Sequence, residues 1–239
     1  MLNLNLNLIR TVVGISEGVV CPAELISTTS IMGYYKFDGD YTKTLGEAFF
    51  GTISPVNVSL TSGKFGQAAS FNGTNSYLPF GNNNLMEPVG TGGWTYTLWV
   101  NINNVTDNMS IWDKRVVGSS GMRILLRPSL NNVLITYGTQ NAGVSGMTFT
   151  ADTWTHICVR QNAGTNNFEV FVNGTSYGFS TRSSYTASGV NLNVGRGRIA
   201  AGFDAYFNGE MDDWQLYDRS LTDEEITALA AGTCPLTTP

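Results

Sequence analysis

The sequence predicts an all-β chain: a two-sheet antiparallel sandwich or jelly roll, with one short helix near the C-terminus. Three observations carry this. Short strand-like runs recur along most of the chain, for example Met32–Phe37, Thr95–Asn101, Arg123–Leu126, Thr155–Val159, Phe168–Val172 and Trp214–Tyr217. Asn-Gly turn signals stand between them at Asn72-Gly73, Asn173-Gly174 and Asn208-Gly209. Third, the 239 residues include 27 Gly but only 7 Pro, with 42% hydrophobic and 13% charged residues. That charged share is about half the usual ~25%. Such a chain has enough apolar surface for a sizeable core and many turns, which excludes the disordered, collagen-like and coiled-coil classes.

Residues 1–30 read as an N-terminal arm. Leu2, Leu4, Leu6 and Leu8 alternate with Asn3, Asn5 and Asn7, the period of a half-buried strand. The arm is either an extra edge strand on the main domain or a strand that pairs with another chain, where main-chain hydrogen bonds make addition cheap. Residues 31–232 form the predicted domain, and 233–239 a tail. Within the domain, residues 220–232 hold the one clear helix. Thr222 and Glu225 make a capping box, Asp223 and Glu224 suit the positive helix start, and Ile226, Leu229 and Ala230 form an apolar stripe before Gly232.

Charge and motif content narrow the function. The net charge is −5 and no Lys/Arg cluster appears, since Lys114-Arg115 and Arg196-Gly197-Arg198 are small. Nucleic acid and anionic membranes are therefore not expected partners. No apolar run reaches the ~18–20 residues of a membrane span. The N-terminus lacks the basic and apolar regions of a secretory signal, which reads as an uncleaved, cytoplasmically made product. Cys21, Cys158 and Cys234 are not a disulfide framework. Cys158 lies in an apolar run and reads as a buried free thiol. Cys21 and Cys234 flank the domain, and whether they pair stays open. His156, the one histidine, reads as a structural hydrogen-bonding residue, and no nucleophile or zinc set can be assembled around it.

Six segments in order carry a family resemblance. Tyr34–Gly39 resembles an opening "YxFDG" strand, Gly63–Gly73 resembles "GKFGxAxxFNG", and Trp94–Val100 resembles "fTvsxWv". Trp154–Val159 resembles "WtHvav", Phe171–Gly174 resembles "lYvNG", and Phe207–Thr222 resembles "FnGxiDdvxiYdraLs". Together they span residues 34 to 231 and resemble the laminin-G-like, concanavalin-A-like jelly-roll family of lectin and glucanase type. The arm falls outside the match.

The resemblance implies two antiparallel sheets and a binding role rather than chemistry. It implies carbohydrate or protein partners and a structural Ca²⁺ held by Asp38 with Asp212 and Asp213. Ca²⁺ needs several carboxylate or carbonyl oxygens. The alternatives are a solvated turn pair at Asp38 and Asp40, and an Asp212-Asp213 pair with one carboxylate bonding loop amides and the other facing solvent. The loop after the opening strand departs from the family pattern and keeps only Gly51-Thr52 of it. Related hydrolases carry paired glutamates around an aspartate. Here Glu210-Met211-Asp212 begins that pattern, but Trp214 or Gln215 stands where the second glutamate belongs. A retaining mechanism needs both carboxyl groups ~5–5.5 Å apart, so the chain is expected not to be an enzyme.

Sugar binders stack exposed aromatic faces on sugar rings. Trp94, Trp99 and Trp154 fall in core motifs, which leaves Trp112, Tyr137, Tyr185 and Tyr206 as candidate ligand contacts. The expectation for function is a virion surface protein, a capsid decoration or tail-associated component. Its arm would dock on other virion proteins or on itself, and its jelly roll would face a host-surface glycan. A domain type that faces outward, on a chain without an export signal, motivates that setting. The alternative is an extracellular, calcium-dependent carbohydrate-binding module.

Overall fold

The computed structural model describes residues 30–232, apart from 49, 89, 91, 182–185 and 201–202. The first half of the chain supplies β1 (Ile31–Tyr35), β2 (Leu45–Gly46), β3 (Ser59–Ser62), β4 (Gln67–Asn72), β5 (Leu78–Gly81), β6 (Trp94–Ile102), β7 (Met109–Val116) and β8 (Ser120–Arg127). The second supplies β9 (Asn132–Tyr137), β10 (Gln140–Ser145), β11 (Thr155–Gln161), β12 (Asn167–Val172), β13 (Thr175–Thr181), β14 (Leu192–Val194), β15 (Arg196–Ala200), β16 (Phe203–Tyr206), β17 (Asn208–Tyr217) and the helix α1 (Asp223–Ala230). Among the described residues no helix is long and apolar enough to cross a membrane.

Two antiparallel sheets face each other. One has nine strands in the order β13-β12-β11-β6-β17-β1-β2, with β4 also on β17 and β3 on β4. The other has six, β10-β9-β8-β7-β14-β5. A two-stranded ribbon, β15-β16, leaves the second sheet and packs on β7. The inner faces meet in one aromatic-rich core. Trp112 and Trp214 lie parallel at 6.1 Å, Trp94 meets Trp112 edge-on at 5.4 Å, and Tyr35, Phe50 and Phe80 close around Trp214. Offset and edge-on pairs are the geometries that ring quadrupoles favour.

Strand alternation explains the helix. Along β11, Ile157 and Val159 enter the main core, while Cys158 points to the other side. There it joins Tyr34, Phe171 and Tyr217 in a second cluster that α1 closes with Ile226 and Leu229. The capping box forms as the sequence predicts: Thr222 Oγ1 accepts from the Glu225 amide, and Glu225 accepts from the Thr222 amide at 2.8 Å. Arg160 holds Asp223 at 2.7 Å and Arg219 grips Glu225 at 2.6 Å. The outer face of the nine-stranded sheet is thus covered by the helix over this region. Cys158 is the buried free thiol expected.

Two irregularities set which residues face inward. In β17, Met211 and Trp214 are both in the core, an odd spacing that a regular strand cannot give. A bulge between Asp212 and Gln215 restores the phase, with Asp213 at φ +48°. It falls where β17 changes neighbour from β4 to β1. In β7, a register shift between Ser110 and Trp112 turns Ile111 and Trp112 both inward.

The turn signals divide. Asn173-Gly174 is a tight hairpin, both residues at positive φ, joining β12 to β13. Asn208-Gly209, expected to be a turn, lies inside β17. Gly209 is there because the β6 backbone approaches closely: a Cβ would sit 2.0 Å from the Asn101 carbonyl oxygen.

Candidate functional site

The expected metal ligands meet at a structural junction. Gly63–Gly66 is a turn closed by the Gly63 amide donating to the Gly66 carbonyl at 3.0 Å. It aims two neighbouring amides at carboxylates: Phe65 N–H to Asp212 Oδ2 at 2.9 Å and Gln67 N–H to Asp38 Oδ1 at 2.7 Å. The approach is so close that a Cβ on Gly66, which sits at φ +54°, would stand 2.1 Å from Asp38 Oδ1. Asp212 Oδ1 accepts from the Asp213 amide at 2.7 Å, and Asp213 Oδ1 accepts from the Tyr34 hydroxyl at 2.7 Å. The first, second and last of the six motifs are therefore one hydrogen-bonded knot between β1, the β3–β4 turn and β17.

This knot does not fit a Ca²⁺ ion. Four of its six carboxylate oxygens already take protein N–H or O–H groups, whereas Ca²⁺ needs 6–8 oxygens about 2.3–2.6 Å away. Among the described residues no three His, Cys, Asp or Glu side chains gather as a metal group. Burial pushes Asp212 up to about 7, and the Asp213 and Asp38 charges push the same way. Burial likewise raises Asp213 to about 6 against the pull of Tyr34 and Lys36. Asp213 is buried, not solvent-facing as the alternative reading had it, while Asp212 does bond loop amides.

The aromatic candidates fare differently. Trp112 is fully buried in the core and offers no ring face to a ligand. Tyr137 is buried too, its hydroxyl donating to the Thr181 carbonyl at 2.8 Å. Tyr206 is half-buried, 5.8 Å from the Arg196 guanidinium. Tyr185 and the arm residues Leu2, Leu4, Leu6 and Leu8 lie outside the described residues, as do Cys21 and Cys234. Trp94 and Trp99 are buried as expected, but Trp154 is only half-buried. His156 is buried, with Nε2 2.6 Å from Thr97 Oγ1, and burial lowers it to about 3. It stays neutral and structural. Gln215, at the place of a second hydrolase glutamate, is buried and accepts from the Tyr217 hydroxyl.

The outer face of the six-stranded sheet gathers what sequence reasoning missed. Register places Asn193, Asp113, Arg123, Thr136 and Asn141 on one rung across β14, β7, β8, β9 and β10. Side chains link along it: Arg123 donates to Thr136 Oγ1 at 3.1 Å, and Thr136 donates to Asn141 Oδ1 at 2.7 Å. The next rung on this face, about 7 Å away, is apolar, with Leu125 opposite Leu134. The rung beyond pairs Arg127 with Asn132 Oδ1 at 2.7 Å.

Two clefts open on this face. One, of about 260 Å³, has Leu125 and Leu134 between Arg115, Arg123 and Arg127, with Thr136 and Asn141 on its wall. The other, of about 390 Å³, lies beyond Arg115 against the ribbon and includes Asp113, Asn193 and Arg196. Arg115 and Arg123 both donate to the Arg198 carbonyl, and Asp113 Oδ2 accepts from the Arg198 amide at 3.0 Å. Burial raises Asp113 to about 6 although Arg115 and Arg123 pull it down. Burial and the neighbouring Arg115 charge lower Arg123 to about 10; Asp113 opposes the shift and Arg127 adds to it.

Comparison with known proteins agrees with this architecture. Residues 72–227 match the concanavalin A-like lectin/glucanases superfamily. Among curated proteins no sequence matches this chain. Among solved structures, domain 4 of AbnA, an extracellular arabinanase of Geobacillus stearothermophilus in complex with arabinotriose, superposes with TM-score 0.66 at 20% identity, covering 84% of this chain and 98% of that one. The binding domain of botulinum neurotoxin serotype D/C superposes with TM-score 0.63 at 13% identity, covering 87% of this chain and 53% of the toxin domain. A botulinum neurotoxin DC binding domain in complex with rat synaptotagmin II gives 0.64 at 13%, covering 87% and 52%. The chain therefore spans about half of each toxin domain, and at these identities the likeness is one of fold. With more than half its length matched by the family, the chain belongs to the concanavalin A-like lectin/glucanase superfamily.

Proposed function

We propose that this protein is a non-catalytic carbohydrate-binding domain whose site is the outer face of the six-stranded sheet. One observation carries the reading: alternating polar and apolar rungs, Arg123-Thr136-Asn141 beside Leu125-Leu134. A sugar ring has a ring of hydroxyls and an apolar face, and these rungs offer both at the spacing of one cleft. The nine-stranded sheet does not compete, because α1 covers its outer face around Tyr34, Cys158 and Phe171. Binding without turnover is the reading because Asp113, the carboxylate on this rung, is already engaged by Arg115 and the Arg198 amide, and hydrolysis needs two.

Calorimetry against a panel of neutral and acidic oligosaccharides, in chelator, tests this. Thr136→Val and Asn141→Leu each remove a hydroxyl or amide from the rung. Each is expected to weaken binding ~5–10-fold, from ~1–1.4 kcal/mol per lost hydrogen bond. Binding that ignores both substitutions contradicts the site.

The virion-surface setting, with docking through residues 1–30 on other virion proteins or on itself, remains part of the proposal. It rests on the alternation of Leu2, Leu4, Leu6 and Leu8 with asparagine. Light scattering of the chain with and without residues 2–26 tests self-docking. An unchanged assembly mass contradicts it.

A further inference from the structure

We propose that the cleft between Arg115, Arg123 and Arg127 seats an anionic group of the glycan, a uronate carboxylate or a sulfate, so that the domain selects acidic over neutral polysaccharide. This rests on the carbohydrate-binding reading of the same face.

Positive charge gathers in this cleft without a matching number of acids. The chain as a whole is acidic, at −5, yet three of its nine arginines line one cleft of about 260 Å³ whose lining, among the described residues, includes no carboxylate. Asp113, the nearest acid in register, lines the neighbouring cleft and faces Arg115 at 3.4 Å. The other guanidinium contacts are to neutral oxygens: Arg115 and Arg123 to the Arg198 carbonyl, Arg123 to Thr136, Arg127 to Asn132. Such acceptors satisfy donors without cancelling charge. Arg123 is 3% exposed, and its buried Nε–H has no partner. A buried donor left unmade is costly, and a guanidinium offers a carboxylate or sulfate a planar fork. Burial and the repulsion of Arg115 and Arg127 already depress the Arg123 pKa, and an anion between them would relieve both.

The size of the cleft points to a single charged sugar unit, since it falls below the ~300–1,000 Å³ typical of drug-sized sites. Leu134, half-buried where Leu125 is buried, would carry the ring while the arginines hold its acid group. The latch to the Arg198 carbonyl does not account for the whole cluster, because Arg127 takes no part in it.

Calorimetry with a galacturonate hexamer, a sulfated chondroitin hexamer and neutral cellohexaose, each over a salt series, decides the matter. The two acidic probes separate carboxylate from sulfate, and binding of either one supports the inference. The expected result is at least ~10-fold tighter binding of an acidic hexamer than of cellohexaose, weakening as salt rises. Arg127→Gln should bring that acidic hexamer down towards the neutral level. Arg127 is the chosen site because Arg123→Gln would also loosen the ribbon. Lys43→Gln removes a cation elsewhere and should leave both affinities unchanged. Cellohexaose binding as tightly as the acids, unmoved by Arg127→Gln, overturns the inference while the carbohydrate-binding reading stands. Binding of none of the three overturns the inference together with that reading.

Discussion

Replacing Trp112 by alanine separates a core residue from a sugar-stacking one. The indole is fully buried, parallel to Trp214 at 6.1 Å and edge-on to Trp94 at 5.4 Å, with Tyr96 at 5.0 Å. Truncation removes three ring contacts and opens a cavity between two sheets that cannot both collapse. Large-to-small changes of this kind cost ~3–5 kcal/mol. For a domain of this size, each kcal/mol lowers Tm by roughly 2–4 °C, so a fall of roughly 6–20 °C is expected. Urea and thermal unfolding followed by tryptophan fluorescence measure the loss. Calorimetry at low temperature, where the variant is still folded, measures oligosaccharide affinity, which should stay within about the twofold that 0.4 kcal/mol represents. A variant as stable as the wild type that no longer binds sugar would refute the burial argument and restore Trp112 as a ligand contact.

Other expectations follow from the same geometry. Burial raises Asp212 and Asp213 in the folded state to about 7 and about 6 from the ordinary aspartate value of 3.8. The folded protein thus holds protons that the unfolded chain has lost, and stability should fall as pH rises from about 4 to about 7. Denaturation at a series of pH values checks the sign, and Asp213→Asn, which keeps an acceptor for Tyr34, should flatten the slope. At neutral pH, Ca²⁺ against chelator should leave Tm unchanged, and a clear rise with Ca²⁺ would show that the carboxylates do hold a cation. Thr222→Ala removes the helix cap and should cost about 1 kcal/mol, visible as faster hydrogen exchange in α1. Gly66→Ala forces an L-residue to φ +54° against Asp38 Oδ1, and should cost at least the ~1–2 kcal/mol of a left-handed residue.

The fold was largely legible. Short strand-like runs located β1, β6, β8, β11, β12 and β17, and the Thr222/Glu225 pair located the start of α1, because local patterning and tertiary burial agree there. The site was less legible, for reasons of phase and register. In β7, Met109 and Ile111 face the core, and simple alternation then turns Trp112 outward. The bulge after Ser110 reverses that, and no residue type announces it. The carboxylates of the "FDG" and "MDDW" motifs look like ligands, yet they answer amides of the glycine turn between them. The polar rung joins Asn193 to Asn141 through three intervening strands, a relation fixed by pairing register rather than by neighbours in sequence. One trace of it was present: Arg123 and Arg127 flank Leu125 at even spacing in a strand, which places all three on one face.

The most direct test of the central claim is a titration of the methyl-labelled protein with galacturonate hexamer and with cellohexaose, followed by NMR. Leu125 and Leu134 line the cleft on the outer face, whereas Ile226 and Leu229 lie under the helix on the opposite side. The account predicts saturable shifts at Leu125 and Leu134, with Ile226 and Leu229 still. Shifts at the helix methyls, with Leu125 and Leu134 unmoved, would place the binding face on the nine-stranded sheet and contradict it.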